Sequence, residues 1–386
     1  MANISEVEGS WEPKFETLVE LFSSQGPENP AGGTTLAVYQ DGKSVVNVWQ
    51  GQASPESKWS EDTVSVVFSC TKGIISILAA QLIQQGLLDL EERVATYWPE
   101  FAQAGKENIK VKTLLQHRAG LSAVRRDLTY EEVLDEKTII EELASQAPLW
   151  EPDTNYGYHA LTFGHLVSKL IHSVTGFSAN DYLQKVVTAP LGVDMWIGLP
   201  SAQLPRIATL VSDGGFKSAN PSVGSDQYWV EKAMGFGGAF PVDPTDAHGF
   251  NDPRTLGIEL AGANGVTNAN GLAKIYSAAV TETDGIRLLS DQTLEIATRP
   301  ASYGKNVWNE PGPYPAWGNG FMLPIAEHFE MPGAKGFGHN GLGGSAGWGS
   351  VEKRIGFGYT TSFLRSSPDT QKHQQDLVRH LQKLTE

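Results

Sequence analysis

Ser69-Cys70-Thr71-Lys72 stands at the mouth of the first long apolar-periodic stretch of the chain. A separation of three residues puts the Ser69 and Lys72 side chains on one face of a helix, within mutual reach. A helix start also offers unpaired N–H groups and the positive end of the helix dipole. A serine there is placed to act as a nucleophile, with its own N–H facing a developing oxyanion. A lysine of ordinary pKa must lose roughly 3 units to serve as a base at neutral pH. Burial beside Phe68, Ile74 and Ile75 pushes it that way. A surface serine and lysine at a helix start would read the same, so the motif does not settle the chemistry alone.

Two other segments supply partners. Trp150 to His159 is a turn-rich stretch before an apolar helix, and a tyrosine on it can point a hydroxyl into a cleft. A phenol flanked by a lysine ammonium ionises more easily and can relay a proton; the alternative is two tyrosine rings packing a loop onto the core. Phe337-Gly338-His339-Asn340-Gly341-Leu342-Gly343-Gly344-Ser345 allows close backbone approach along a strand edge. The Leu342 N–H can pair with that of Ser69 as an oxyanion hole; the alternative is a glycine-rich bend. Gly343-Gly344-Ser345-Ala346-Gly347 also fits Gly-x-Ser-x-Gly, but that motif needs a helix after the serine, and Trp348 to Val351 reads as strand. Cys70 points away from the Ser69–Lys72 face and reads as a small buried residue. His165 and His172 read as structural or surface histidines, with no metal-ligand pattern. Trp348 is a candidate for an acyl pocket, although tryptophan is more often core.

These segments need a scaffold. Thr34–Gln40 and Lys43–Trp49 read as a hairpin turning at Asp41-Gly42. Thr63–Phe68 is a short apolar run into Ser69, and the helix after it stops near Gly86. Thr113 can cap a short helix over Leu114–His117. Tyr130–Gln146, Ala160–Val174 and Phe177–Val187 read as helices, the second stopping at Gly176. Residues 200–255 read as a long loop region over a site, and residues 308–317 as a further contributor to its pocket. Gly336–His339, Ala346–Val351 and Ile355–Phe363 read as strands, Gln371–Leu384 as a terminal helix. Strands thus sit at both ends of the chain. This predicts a mixed lobe from residues 1–66 and 290–386, a mostly helical lobe from 67–289, and a site in the seam.

The 386 residues are 40% hydrophobic and 19% charged, which fits a folded domain rather than a disordered chain. A net charge of −15 opposes binding to nucleic acid or anionic membranes. The single cysteine allows no intrachain disulfide and no thiolate-rich metal site. No apolar stretch reaches the roughly 18 residues that span a bilayer. Met1–Lys14 is acidic and lacks a signal pattern, so the expected compartment is the cytoplasm.

The three segments, in this order, resemble the serine β-lactamase and penicillin-recognising superfamily: Ser-x-x-Lys at a helix start, a tyrosine motif, then a Lys/His-Thr-Gly-like strand. Gly86-Leu87-Leu88-Asp89-Leu90, Tyr97-Trp98-Pro99-Glu100-Phe101 and Leu114-Leu115-Gln116-His117-Arg118-Ala119-Gly120-Leu121 extend the resemblance, which covers residues 30–365. Within the superfamily the chain looks most like the family VIII carboxylesterases, whose tyrosine motif often reads Tyr-His, as in Tyr158-His159. The resemblance implies an α/β (α+β) β-lactamase-like fold: an antiparallel sheet flanked by helices, with an inserted mostly helical lobe. It implies Ser69 as nucleophile, Lys72 and Tyr158 as proton carriers, Tyr156 as a packing aromatic, and an oxyanion hole from Ser69 and Leu342. His339, Asn340 and Gly341 become substrate-binding candidates, with His339-Asn340 standing where β-lactamases carry a carboxylate-binding Lys-Thr. The implied activity is hydrolysis of a small-molecule ester without metal or cofactor. A β-lactamase, DD-peptidase, amide hydrolase or acyltransferase of the same superfamily, or an inactive binding protein on its fold, stays open, as does a monomer or dimer.

Overall fold

A computed structural model describes residues 7–26, 31–325, 330–366 and 369–386. The first six residues of the acidic N-terminal stretch therefore lie outside the described residues.

The strand signals from the two ends of the chain meet in one sheet. Its main strands are β1 (Glu8–Trp11), β2 (Gly33–Gln40), β3 (Lys43–Ser54), β4 (Ala316–Trp317), β5 (Met322–Leu323), β6 (Gly336–Asn340), β7 (Ala346–Ser350) and β8 (Ile355–Thr361). Their order is β1-β3-β2-β8-β7-β6-β5-β4, with Ser57–Lys58 added beside β3. All neighbours run antiparallel. The hairpin forms as the sequence predicts, with Asp41 and Gly42 both at positive φ. The join between the chain ends is β8 on β2, from Ile355 opposite Gln40 to Thr361 opposite Thr34.

Among the helices that cover this sheet or fill the other lobe are α1 (Glu16–Ser24), α2 (Cys70–Gln84), α3 (Thr162–Thr175), α4 (Ala269–Val280) and α5 (Lys372–Leu384). α1 and α5 bury Phe15, Leu18, Phe22, Leu377 and Leu381 with Val38, Val48, Trp348 and Phe357 of the sheet. The opposite face carries Gly347, Gly349, Gly356 and Gly358, since side chains alternate along a strand. A Cβ at Gly356 would lie 2.0 Å from the Ala273 carbonyl oxygen, and one at Gly358 2.1 Å from that of Ala269. Glycine lets α4 pack directly on the backbone of β7 and β8. This corrects the lobe boundary read from the sequence: α4 falls within 67–289, yet it lies on the sheet.

α2 is the axis of the helical part. Thirteen of its fifteen residues are buried, so its apolar residues surround it rather than form one stripe. α3 packs against it and stops at Gly176, φ 73°, as the sequence predicts. The stretch 130–146 divides into Tyr130–Val133 and Glu136–Ser145, because Asp135 caps the second helix with a side-chain bond to the Lys137 N–H. Thr113 does not cap: the short helix is Val111–Leu115, and the Thr113 hydroxyl donates to Asp153. Within 200–255 the chain is mainly irregular but includes a helix over Asp226–Gly235. The implied architecture is the one observed: a mixed α/β molecule with an antiparallel sheet, flanking helices and a mostly helical insertion. Among the described residues no helix is long and apolar enough to cross a membrane.

Candidate active site

Ser69 sits where a short strand turns into α2. Phe68 takes a left-handed φ of 45°, which a bulky side chain rarely adopts. Strain of this kind persists where the surroundings enforce it. Here the Phe68 carbonyl accepts from the Thr71 hydroxyl and N–H, and Thr71 Oγ1 in turn accepts from the Gly265 N–H. The turn leaves Ser69 partly exposed at the head of the helix.

Lys72 is fully buried. Its Nζ lies 3.0 Å from Ser69 Oγ and donates to the Gly262 carbonyl at 2.6 Å. No carboxylate among the described residues forms an ion pair with it. Burial therefore drives its pKa well below the lysine range. An uncharged amine has two N–H donors and one lone pair. With one N–H on Gly262, the lone pair is free to take the Ser69 hydroxyl proton.

Tyr158 donates to Ser69 Oγ at 2.9 Å, and Lys72 Nζ lies 5.0 Å from its ring centroid. Ser69 Oγ is thus held between an amine and a phenol. The phenol does not ionise more easily, contrary to the sequence-based expectation. Burial pushes its pKa up, which the bond to Ser69 only partly opposes. Burial of the neighbouring Lys72 disfavours the ammonium that would favour a phenolate. Tyr156 is elsewhere, buried, with its hydroxyl on the Gly304 carbonyl.

A glycine also governs how closely the chain before Leu342 approaches this turn. A Cβ on Gly341 would lie 2.3 Å from the Val67 carbonyl oxygen, so only glycine lets the end of β6 approach the turn before Ser69. Leu342 follows, and among the described residues neither its N–H nor that of Ser69 donates to a protein acceptor.

The other candidates divide. The His339 ring lies 6.0 Å from that of Tyr158 and 5.4 Å from that of Trp317. Burial first, then Lys72, pushes its pKa down to about 3, so it is neutral. Asn340 is buried against Gln374 of α5, 3.5 Å away, and Gly341 acts through its missing side chain. Trp348 is not a pocket residue. It is fully buried on the α5 side of the sheet, and its indole donates to Gln374. Strand alternation decides this: Gly347 and Gly349 face α4, so Trp348 faces the other way. Cys70 is buried with its thiol on the His339 carbonyl, and burial raises its pKa, so it is inert as a nucleophile. His165 is buried and neutral, His172 exposed. Among the described residues no three His, Cys, Asp or Glu side chains converge as a metal site.

Three participants escaped sequence reading. Gly262 offers a carbonyl, which no residue type announces. Its loop is fixed by Asn264, whose side chain accepts from the Leu260 N–H and donates to the Thr255 and Ile258 carbonyls. Trp317 stacks on Tyr158 at 5.3 Å, with planes 16° apart. Phe250 meets Phe68 at 4.9 Å and, with Phe240, Pro241, Val242, Met234 and Leu342, lines a cleft of about 470 Å³. The loop-rich composition of 200–255 was the signal for that cleft, without naming its residues.

The Beta-lactamase family matches residues 18–381. The chain is 34% identical over 377 residues to an Esterase/beta-lactamase LipL of Mycobacterium tuberculosis, covering 93% of this chain and 83% of that protein. The crystal structure of a family VIII carboxylesterase superposes with a TM-score of 0.86 at 30% identity, over 98% of this chain and all of the other. EstA from Arthrobacter nitroguajacolicus Rue61a gives 0.84 at 30% identity, over 97% of each chain. The chain belongs to the Beta-lactamase family and is a serine hydrolase of that superfamily.

Proposed function

We propose that this protein is a carboxylesterase that hydrolyses short- to medium-chain acyl esters through an acyl-enzyme on Ser69. The observation that carries this reading is Ser69 Oγ lying 3.0 Å from the Nζ of fully buried Lys72 and 2.9 Å from the Tyr158 hydroxyl. Lys72 takes the proton as Ser69 attacks the ester carbonyl, and the Ser69 and Leu342 N–H groups stabilise the oxyanion. Tyr158, protonated and facing the same oxygen, gives a proton to the leaving alcohol and recovers one from Lys72. Water then attacks the acyl-enzyme by the same path in reverse.

Two observations favour an ester over a β-lactam. Residue 339 is a neutral histidine, so a substrate carboxylate finds no cation there. The cleft beside Leu342 sets Phe216, Met234, Phe240, Val242 and Phe250 beside Lys217, Glu231 and Lys232, and its apolar part suits an alkyl or aryl group. The likeness to a family VIII carboxylesterase supports an ester, while the relative named an esterase/beta-lactamase is compatible with either. The single buried thiol needs no oxidising compartment, in keeping with action in the cytoplasm. The test is a panel of p-nitrophenyl esters from acetyl to dodecanoyl beside a chromogenic cephalosporin. Higher kcat/KM on the esters, lost in Ser69→Ala, supports the reading; turnover confined to the cephalosporin would reassign the chain as a β-lactamase.

A further inference from the structure

His117 follows the short helix Val111–Leu115 in a left-handed conformation, φ 58°, which histidine and asparagine enter more readily than most residues. Besides its own N–H donating to the Leu114 carbonyl, it accepts two hydrogen bonds, one on either side of Tyr158. Its carbonyl accepts from the Gly157 N–H at 3.1 Å, and its Nδ1 accepts from the His159 N–H at 3.2 Å. A backbone N–H only donates, so Nδ1 carries no proton and the ring is the Nε2–H tautomer. The groups facing this ring are Tyr158, His159, Phe163 and Trp317, with Lys72 and His339 in electrostatic range. Burial first, then His159, Lys72 and His339, holds the imidazole pKa well below its ordinary value. His159 is neutral too, since its Nδ1 donates to the Gly157 carbonyl and its Nε2 accepts from the Leu121 N–H. The edge of His117 also meets Trp317 at 4.5 Å, and Trp317 is the ring on which Tyr158 stacks.

We propose that His117 is a positioning residue for the acyl transfer: its carbonyl and Nδ1 clamp the backbone on both sides of Tyr158 and hold the phenol on Ser69. This rests on the reading of Tyr158 as a proton carrier. The physical stake is geometric, because a misplacement of about 1 Å in a reacting group can cost about 10²-fold in rate.

A crossed pair of substitutions separates clamping from packing. His117→Phe keeps a ring against Trp317 and Phe163 but leaves the His159 N–H without its acceptor. Phenylalanine at φ 58° carries backbone strain, as Phe68 does at 45°, so the variant's fold is checked by its melting temperature. His117→Asn gives up the ring but keeps an acceptor near Nδ1 and a residue suited to the backbone. The clamp predicts that His117→Phe lowers kcat about 30- to 100-fold with KM changed less than about threefold. It predicts that His117→Asn recovers kcat to within about fivefold of the native value. The reverse order would assign His117 to packing and overturn the proposal. His117→Gly, unstrained at this φ and without the acceptor, carries the same expectation as His117→Phe should the latter not fold. In a Tyr158→Phe background, His117→Phe should cost nothing further, whereas an undiminished additional loss would overturn the clamp. A fully active Tyr158→Phe would instead overturn the reading of Tyr158, and the clamp with it.

Discussion

Two serines of this chain stand in candidate nucleophile motifs, and their surroundings differ in every respect that matters to a nucleophile. Ser69 is partly exposed, its oxygen lies between an amine and a phenol, and unspent N–H groups stand nearby. Ser345 is fully buried, and its oxygen accepts from the Thr361 N–H at 3.4 Å. It leads into β7 rather than a helix, so the Gly-x-Ser-x-Gly pattern does not build a nucleophile elbow here. Gly341 lies between the two: its N–H donates to the Ser345 carbonyl while its bare Cα faces Val67. The contrast shows that a serine motif is a statement about neighbours, and that one turn can support a reactive hydroxyl without containing it.

The sharpest way to break this contrast is to exchange the losses. Ser69→Ala is expected to lower kcat on p-nitrophenyl butyrate by about 10⁴- to 10⁶-fold, the scale of removing a nucleophile. Ser345→Ala should stay within about threefold, after correction for active enzyme. Equal losses would erase the distinction.

The next effect makes Ser69 as inert as Ser345 by removing its base. Lys72→Met should lower kcat about 10³- to 10⁴-fold. The same variant should unfold at a higher temperature. The folded pKa of Lys72 lies below its unfolded value, so between the two the unfolded chain binds a proton that the folded one does not. Stability therefore rises with pH through that window, and at neutral pH the buried amine is destabilising. Activity has the matching sign: kcat/KM falls as pH drops through the folded pKa of Lys72. That acid limb should vanish from the residual activity of Lys72→Met, whereas a limb that persists belongs to another group.

A smaller effect is expected at the shared turn. Gly341→Ala must move the strand end away from Val67, taking the Leu342 N–H with it. A loss of about 10- to 100-fold in kcat with KM little changed is expected, below that of deleting a whole donor. The smallest effect is one of preference. Val242→Trp, filling the cleft, should lower kcat/KM on octanoyl esters about tenfold and leave acetyl esters nearly unchanged, measured across the p-nitrophenyl series.

The legible part of the site was local in the chain. Ser69 and Lys72 are three apart on one helix, so spacing alone placed them together. Gly341 and Leu342 were legible because a glycine run marks close approach, and Tyr158 because its loop precedes a helix and matches a known motif. What stayed hidden acts through backbone or from across the fold. The Gly262 carbonyl belongs to a group every residue carries, and the partner of Lys72 is 190 positions away. Trp348 was misplaced because the alternation of its strand has no sign until a partner layer is known: the same two-residue period fits either face.

The sequence by itself determined the helix that carries Ser69 and Lys72, the hairpin at Asp41-Gly42, the late strands and the family to which they belong, because periodicity, turn chemistry and motif order are properties of neighbouring residues. Tertiary structure alone decided that burial lowers the pKa of Lys72 and raises that of Tyr158, and that Ser345 is walled off. Charge state and access depend on how much water and which partners remain around a group. Those are fixed only when segments far apart in the chain have closed over it.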